Sequence, residues 1–245
     1  VAQALGDDPL ARIVNTHLHS DHCGGNAALQ AAHGAAVWIA PGQADAVTRW
    51  DLDALTYRTT GQRCDRFRHD GVLHPGDVLR AGNRAWDVLA APGHDPDSLM
   101  LFDAQAGVLV SADALWNNDA FDQVAEVLDL IERLDARTVI PGHGPAFTDV
   151  GPALRRARQR LSKFVANPPL HARHAAKVLL KYHVMEERQQ ALEDLLTWAE
   201  GTPLVVGTLG RAGFREPPRA SCQTLLAELV AVGALRIQEQ VVHDV

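Results

Sequence analysis

The run THLHSDHCGG at residues 16–25 constrains the fold most, because it places four metal-ligand side chains within six positions. In an extended segment, His17 and His19 project to the same side, while the residue between them points the other way, towards a core. Asp21 and His22 follow where a Gly-Gly pair lets the backbone turn. Imidazoles suit zinc and late first-row metals, and a carboxylate admits harder ions. The run therefore predicts half of a two-metal site.

Three later apolar runs each lead to one further side chain of the metal-ligand type. Two of them end in a Pro-Gly turn and one ends in a Ser-Ala pair, and the ligand-type residues that follow are His94, Asp113 and His143. Apolar runs bounded by such turns are typical of β-strands. The three strands thus carry three ligands at their carboxyl ends, and these residues are the candidates for the other half of the site.

This order of residues resembles the metallo-β-lactamase superfamily, including its glyoxalase II-like metallohydrolases. The family pattern is His-x-His-x-Asp-His, followed by single His, Asp and His ligands on later strand ends, and all seven positions are present here. The resemblance implies two zinc ions, with iron or manganese as alternatives. The implied ligands are His17, His19 and His94 for one metal, Asp21, His22 and His143 for the other, and Asp113 between the two.

These residues have two other interpretations. A single histidine on an apolar face is more often a packed core residue than a ligand, but seven ligand-type residues in the family order argue against that explanation. Cys23 adjoins His22 and is a candidate soft ligand. A small residue packed at a helix start fits Cys23 better, because the family pattern already supplies three ligands per metal. The three cysteines are far apart in sequence, which argues against a disulfide framework.

The resemblance implies a hydrolase in which a dinuclear zinc-bound hydroxide attacks an electrophilic carbonyl. Asp21 is the candidate catalytic residue, because it would orient that hydroxide. Two substrate classes remain open, since relatives with either activity share the ligand set. The first is a small thioester or ester such as a hydroxyacylglutathione, and the alternative is a phosphodiester, which would make the protein a ribonuclease. The net charge of −7 favours the small molecule over nucleic acid as partner.

The domain organisation follows from a change of pattern after residue 147. Strand and helix patterns alternate up to that point, as in a sheet covered by helices, and the resemblance implies an α+β fold with an αββα sandwich. Helices dominate afterwards. We assign residues 1–150 to the metallohydrolase domain, 151–169 to a linker helix and 170–245 to a second, small domain.

The pattern of the second domain is similar to that of a winged-helix domain. Two helices are followed by a short strand at 202–204, a third helix at 221–230 and a hairpin at 234–242. A competing interpretation therefore makes the chain a DNA-binding regulator with a vestigial metal site. Charge argues against it, because the third helix carries Glu228 but no Lys or Arg. We expect this domain to shape the rim of the active site or to form a contact in a homodimer.

The chain departs from the family pattern in two places. The family's first strands need several tens of residues, whereas 15 residues precede Thr16, so we expect a first sheet without its first strands and a chain truncated at its N-terminus. The link at residues 115–120 is shorter than in relatives, which predicts a missing part of the pocket wall. The sequence contains no apolar run of about 18 residues and no signal-peptide pattern, which predicts no membrane contact and a cytoplasmic location.

Overall fold

The computed structural model describes residue 6 and residues 8–115 and 120–245. The short link predicted at residues 115–120, after Asp113, falls largely on residues 116–119, which lie outside the described residues. Within the described ranges, no helix combines the length and the apolar character that crossing a membrane requires. The chain divides into two compact units, which comprise Val1–Leu55 with Cys64–Ser162, and Thr56–Arg63 with Lys163–Val245.

Strands and helices alternate in the first half of the chain, and helices dominate the second half. The strands are β1 (Arg12–Val14), β2 (Ala36–Ile39), β3 (Gly71–Val72), β4 (Val78–Ala81), β5 (Arg84–Ala90), β6 (Leu99–Asp103), β7 (Val108–Ala112), β8 (Thr138–Pro141), β9 (Gln189–Ala191), β10 (Leu235–Gln238) and β11 (Val241–Asp244). The helices are α1 (Ser20–Cys23), α2 (Asn26–His33), α3 (Ala44–Arg49), α4 (Tyr57–Thr60), α5 (Phe121–Leu134), α6 (Val150–Ala166), α7 (Pro168–Glu187), α8 (Leu192–Gly201), α9 (Pro203–Arg211) and α10 (Pro218–Ala231).

The first unit contains two sheets. The smaller sheet has the order β1-β2-β3, with both pairs parallel. The larger sheet has the order β4-β5-β6-β7-β8 and is antiparallel except for the final pair, β7 and β8, which is parallel. The parallel pair requires a crossover, and α5 supplies it. The predicted mixed α+β fold is therefore confirmed.

Strand β6 shows how the larger sheet is buried on both faces. Leu99 and Leu101 belong to a cluster with Trp38 of the smaller sheet, whereas Met100 and Phe102 belong to a cluster with residues of α5 and α6. Because successive side chains of a strand point to opposite faces, these two clusters lie on the two sides of the sheet. The larger sheet is thus covered by helices on one face and by the smaller sheet on the other.

Helix α5, Phe121–Leu134, has one apolar face. Val124, Val127, Leu128 and Ile131 recur at helical spacing, and all four are buried against the larger sheet. The helix ends at Leu134, and the next residue, Asp135, has a φ of 48°, which lies in the left-handed region. The apolar face therefore explains both why this segment is helical and where it packs.

The second unit has its own core and its own sheet. The sheet is antiparallel with the order β10-β11-β9, and its apolar residues pack with those of α7 to α10. Helices α6 and α7 are separated at Asn167, where the two following prolines begin α7 and the Asn167 side chain accepts a hydrogen bond from Leu170 N at 3.1 Å. The winged-helix assignment itself stays a prediction.

The predicted strand at 202–204 is wrong, because this segment begins helix α9. Pro203 occupies the first helical position, where its missing N–H costs nothing, and Val205 and Leu209 are buried one helical turn apart. Strand β9 was also missed, since it contains only three residues and pairs with β11, a distant part of the chain. Both errors arise where tertiary packing decides between two local possibilities.

Replacement of Leu128 by alanine tests the core assigned to α5. Leu128 is fully buried, so Leu128→Ala should lower the free energy of unfolding by about 3 kcal/mol. The matched control is Gln123→Ala in the same helix, whose side chain is exposed and whose loss should change stability by less than about 0.5 kcal/mol. Urea denaturation of the variants measures both effects. Equal midpoints for Leu128→Ala and the control would contradict the packing of α5.

Candidate metal centre

The structure brings all seven predicted ligand residues to one place in the first unit. Three lie just beyond strand ends of the larger sheet, and four lie in the loop and short helix that follow β1. This loop is docked on the larger sheet, because Leu99 N donates a hydrogen bond to Thr16 O at 2.8 Å. The two groups of candidate ligands are His17, His19 and His94, and Asp21, His22, Asp113 and His143.

The first group consists of three imidazoles. One ring nitrogen from each of His17, His19 and His94 lies within 4.8 Å of the others, and His94 Nε2 is 3.0 Å from His19 Nδ1. His17 is buried, and Thr16 Oγ1 lies 3.3 Å from its Nδ1, so that its Nε2 is directed to the cluster. Three converging imidazoles match the protein ligands of a catalytic zinc site.

The second group combines two carboxylates and two imidazoles. Asp21 Oδ2 lies 3.0 Å from His143 Nε2, and Asp113 Oδ2 lies 3.3 Å from His22 Nε2 and 3.4 Å from His143 Nε2. Asp113 is buried, whereas the Asp21 side chain is 38% exposed. The group therefore has a closed side at Asp113 and an open side at Asp21.

Asp113 also contacts the first group. Its Oδ2 lies 3.4 Å from His94 Nε2 and 4.0 Å from His17 Nε2. One carboxylate oxygen is thus within 4.0 Å of ring nitrogens from both groups. An anion at this position reduces the repulsion between two closely spaced cations.

Burial keeps the first group neutral. Burial first, and then the neighbouring imidazoles His19, His22 and His94, together lower the pKa of His17 to about 2. Burial likewise lowers the pKa of His94 to about 4. A neutral imidazole has a lone pair available for a metal, whereas a protonated one does not. The first group is therefore ready to bind a cation at neutral pH.

The second group holds a proton in the metal-free protein. Hydrogen bonds to Asp113 and Asp21 raise the pKa of His143 to about 10. Burial opposes the ionisation of Asp113, but hydrogen bonds from His143 and His22 outweigh it and keep the pKa of this carboxyl below its usual range. A metal at this group would take the place of the His143 proton, because both compete for the same nitrogen.

The hydrogen bonding of the cluster tests whether it fits metal ions. His17 Nε2 and Asp113 Oδ1 are buried and make no hydrogen bond within the part of the chain that the structure describes. Buried polar atoms are nearly always satisfied, so such atoms at a functional site call for a ligand. Cations bound by these atoms would satisfy both. The fold and the His/Asp cluster together indicate a dinuclear metal site.

Two asparagines that the sequence analysis missed fix the ligand loop, which is residues 15–26 with the four ligand candidates that follow β1. Asn15 Nδ2 donates to His22 O at 3.0 Å, and Asn26 Nδ2 donates to Asn15 Oδ1 at 2.7 Å. Both side chains are buried. The pair joins the two ends of the loop and holds the backbone at His22, one of the ligand candidates. The sequence feature that could have indicated this contact is an asparagine on each side of the loop.

Gly142 and Ala112 allow the ligand candidates Asp113 and His22 to approach each other closely. A Cβ on Gly142 would lie 2.1 Å from Asp113 Oδ1 and 2.9 Å from His22 Cε1, so only glycine fits at this position. Ala112, directly before Asp113, has a φ of 46°, a left-handed conformation that is costly for alanine. Strain of this kind is typical of functional sites, and here it directs the Asp113 side chain into the cluster.

Comparison with curated proteins finds relatives that are named acyl-coenzyme A thioesterase MBLAC2. The Homo sapiens protein is 29% identical over an alignment of 156 residues, and the match covers 55% of this chain and 56% of that protein. The Gallus gallus protein is 29% identical over an alignment of 162 residues, and the match covers 56% of this chain and 57% of that protein. The chain thus spans somewhat more than half the length of the curated relatives that it matches.

Solved structures resemble the fold over nearly the whole chain. A beta-lactamase domain protein from Burkholderia ambifaria covers 99% of this chain and 77% of its own, with a TM-score of 0.54 and 18% identity. A metallo-beta-lactamase family protein from Thermus thermophilus covers 96% of this chain and 80% of its own, with a TM-score of 0.51 and 18% identity. At this level of identity the likeness concerns the fold alone.

The family itself is shown by sequence. A sequence model of the metallo-beta-lactamase superfamily matches residues 1–143, which are more than half of the 245-residue chain and include every ligand candidate of the cluster. With the two sheets, the covering helices and the His/Asp cluster already described, this match establishes that the chain belongs to the metallo-beta-lactamase superfamily.

Proposed function

We propose that the protein is a zinc-dependent hydrolase of thioesters. The observation that carries the proposal is the position of the Asp113 carboxylate, which lies within 4.0 Å of ring nitrogens from both ligand groups. That arrangement is suited to two adjacent cations rather than to one structural ion. Thioesters are favoured as substrates because the curated relatives are named acyl-coenzyme A thioesterases.

The residues of the cluster have distinct roles in this proposal. The three imidazoles of the first group would hold one zinc ion, and the second group would hold the other. When bound, the metals supply Lewis acidity and a nucleophile at neutral pH. Asp21 presents the most exposed carboxylate of the cluster, so we assign it the orientation of the attacking water. Asp113 is buried and lies on the closed side, where it balances charge.

The protonation of the carboxylates also favours a thioester over a phosphodiester. Burial opposes the ionisation of Asp21, but interactions led by a hydrogen bond from His143 outweigh it and lower its pKa, and the pKa of Asp113 is shifted in the same direction. Both acids are therefore ionised and cannot donate a proton to a leaving group. A thiol has a pKa of about 8.5, so a thiolate leaves without such a donor. An RNA alkoxide is a much poorer leaving group.

We propose that the second unit has a role other than DNA binding. Helix α10 carries Arg219, but this cation pairs with Glu193 and Glu200. Its Glu228 in turn pairs with Arg173 and Lys177. The charges of this helix are thus used within the unit rather than presented to phosphates. A winged-helix-like unit of this kind is better suited to a contact between two copies of the chain in a homodimer.

The substrate class can be tested with one panel of compounds. Zinc-loaded protein should hydrolyse an acyl-coenzyme A thioester or a hydroxyacylglutathione, and a chelator should abolish the activity. Thiol release with a chromogenic reagent measures hydrolysis, and a single-stranded RNA is incubated in parallel. Metal-dependent RNA cleavage without thioester hydrolysis would overturn the proposed substrate class in favour of a ribonuclease.

Replacement of Asp113 by asparagine tests the paired metal site. Asp113→Asn keeps the shape of the side chain but removes the negative charge between the two groups, so metal content should fall from two ions per chain towards one. Thioester hydrolysis should fall by about 100-fold or more, because the second ion no longer assists the reaction. Elemental analysis and turnover are measured on the same preparations.

Asp103→Asn is the matched control for this experiment. Asp103 is also a buried carboxylate at the end of a strand in the first unit, but it pairs with Arg84 and accepts a hydrogen bond from Ala106 N. Its replacement should leave the metal content at two ions per chain. A wild-type protein that binds one ion, or an Asp113→Asn variant with unchanged turnover, would contradict the role assigned to Asp113.

A further inference from the structure

Two cysteine thiols lie close together beside the ligand loop. Cys23 Sγ and Cys64 Sγ are 3.8 Å apart, although 41 positions separate them in the sequence. Cys23 is the last residue of α1 and is fully buried. Cys64 is partly exposed and lies in the segment 62–69, which has no regular secondary structure. No disulfide joins them in the structure.

The geometry allows the two sulfurs to form a bond. A disulfide has an S–S distance of about 2.05 Å, so the sulfurs must approach each other by roughly 1.8 Å. Cys23 is held by the helix and by the hydrogen bond that its Sγ donates to Leu18 O at 3.4 Å. Cys64 lies outside any helix or strand and its side chain is partly exposed, so it is less constrained than Cys23. The approach therefore requires a shift of Cys64 rather than of the ligand loop.

We propose that Cys64 and Cys23 form a reversible disulfide when the protein meets a peroxide. The difference in exposure assigns the roles, because only Cys64 can reach an oxidant in solution. Cys23 is shielded from solvent but lies next to Cys64, which is the position of a resolving thiol. This modification site is separate from the proposed hydrolysis, since it requires neither the metals nor a thioester.

The reaction balances with hydrogen peroxide as the oxidant. The Cys64 thiolate attacks one peroxide oxygen, the O–O bond breaks, and the departing hydroxide takes up a proton as water, which leaves a sulfenic acid on Cys64. Cys23 Sγ then attacks Cys64 Sγ, the S–S bond forms and the S–O bond breaks. The second hydroxide leaves as water with the proton of Cys23. Two thiols are oxidised by two electrons and one peroxide is reduced to two waters.

The location of the pair gives the modification a consequence. Cys23 directly follows His22 and belongs to the four-residue helix that also carries Asp21. A bond from Cys23 to Cys64 would tie this helix to the segment 62–69. The oxidation state of the pair would thus restrain the part of the chain that supplies two candidate ligands.

The third cysteine provides a matched control. Cys222 is buried in the core of the second unit. Burial raises the pKa of its thiol to about 11, so it stays protonated and unreactive at neutral pH. Oxidation at Cys64 and Cys23 should therefore proceed in Cys222→Ser as it does in the wild-type protein.

The test is peroxide titration of the metal-loaded protein. The wild-type chain should lose two of its three thiols and about 2 Da in mass, and a reducing agent should restore both. Peptide mapping should identify a link between Cys23 and Cys64. Cys64→Ser should retain both remaining thiols at the same peroxide concentration, whereas Cys222→Ser should lose two. Cys23→Ser should stop at a sulfenic acid on Cys64, which dimedone traps.

Three outcomes would overturn the proposal. They are a link that involves Cys222, oxidation of Cys64 to a sulfinic acid while the Cys23 thiol persists, and retention of all three thiols in the wild-type protein. Cys64 is partly exposed, whereas Cys23 is buried. The measurement on Cys64→Ser therefore remains informative if the Cys23→Ser variant does not fold. Metal content is measured in parallel, because failure to bind metal would contradict the proposed hydrolysis without affecting the thiol result.

Discussion

The Asp113 carboxylate is the interaction on which the rest of the cluster depends. One of its oxygens lies 3.3 to 4.0 Å from ring nitrogens of four histidines, and it is buried. Burying an anion is costly unless positive charge compensates it. In the metal-free protein the proton on His143 supplies that charge. Asp113 and Asp21 raise the pKa of His143 to about 10, so the proton is retained at neutral pH. The fold therefore places an anion where it needs a cation, which is the electrostatic condition for metal binding.

The larger sheet supplies this anion at a cost in backbone strain. Ala112 has a φ of 46°, and β7 is irregular between Val110 and Ala112, just where it would otherwise continue beside β8. On the other side Gly142 leaves room for Asp113 Oδ1, since a Cβ there would lie 2.1 Å away. A strained residue persists only if its surroundings hold it. Here the buried clusters on both faces of the sheet provide that support.

The sequence predicted the cluster better than it predicted the second unit. The seven ligand candidates could be found because their spacing and their places at strand ends are local features that a single sequence contains. Strand β9 and helix α9 could not be assigned correctly, since the first depends on pairing with β11 and the second on packing of Val205 and Leu209. The contact between Asn15 and Asn26 was missed for the same reason, because it joins residues that only the folded loop brings together.

The ligand loop shows why such tertiary contacts matter for the chemistry. Helix α1 has four residues, and a single turn of helix is not stable by itself in water. Its position comes instead from the Asn15 hydrogen bond to His22 O, from the Cys23 hydrogen bond to Leu18 O and from the docking of Thr16 on β6. Two candidate ligands are thus held by groups that bind no metal. A change in any of these bonds, including oxidation of Cys23, would act on the metal centre through the position of α1.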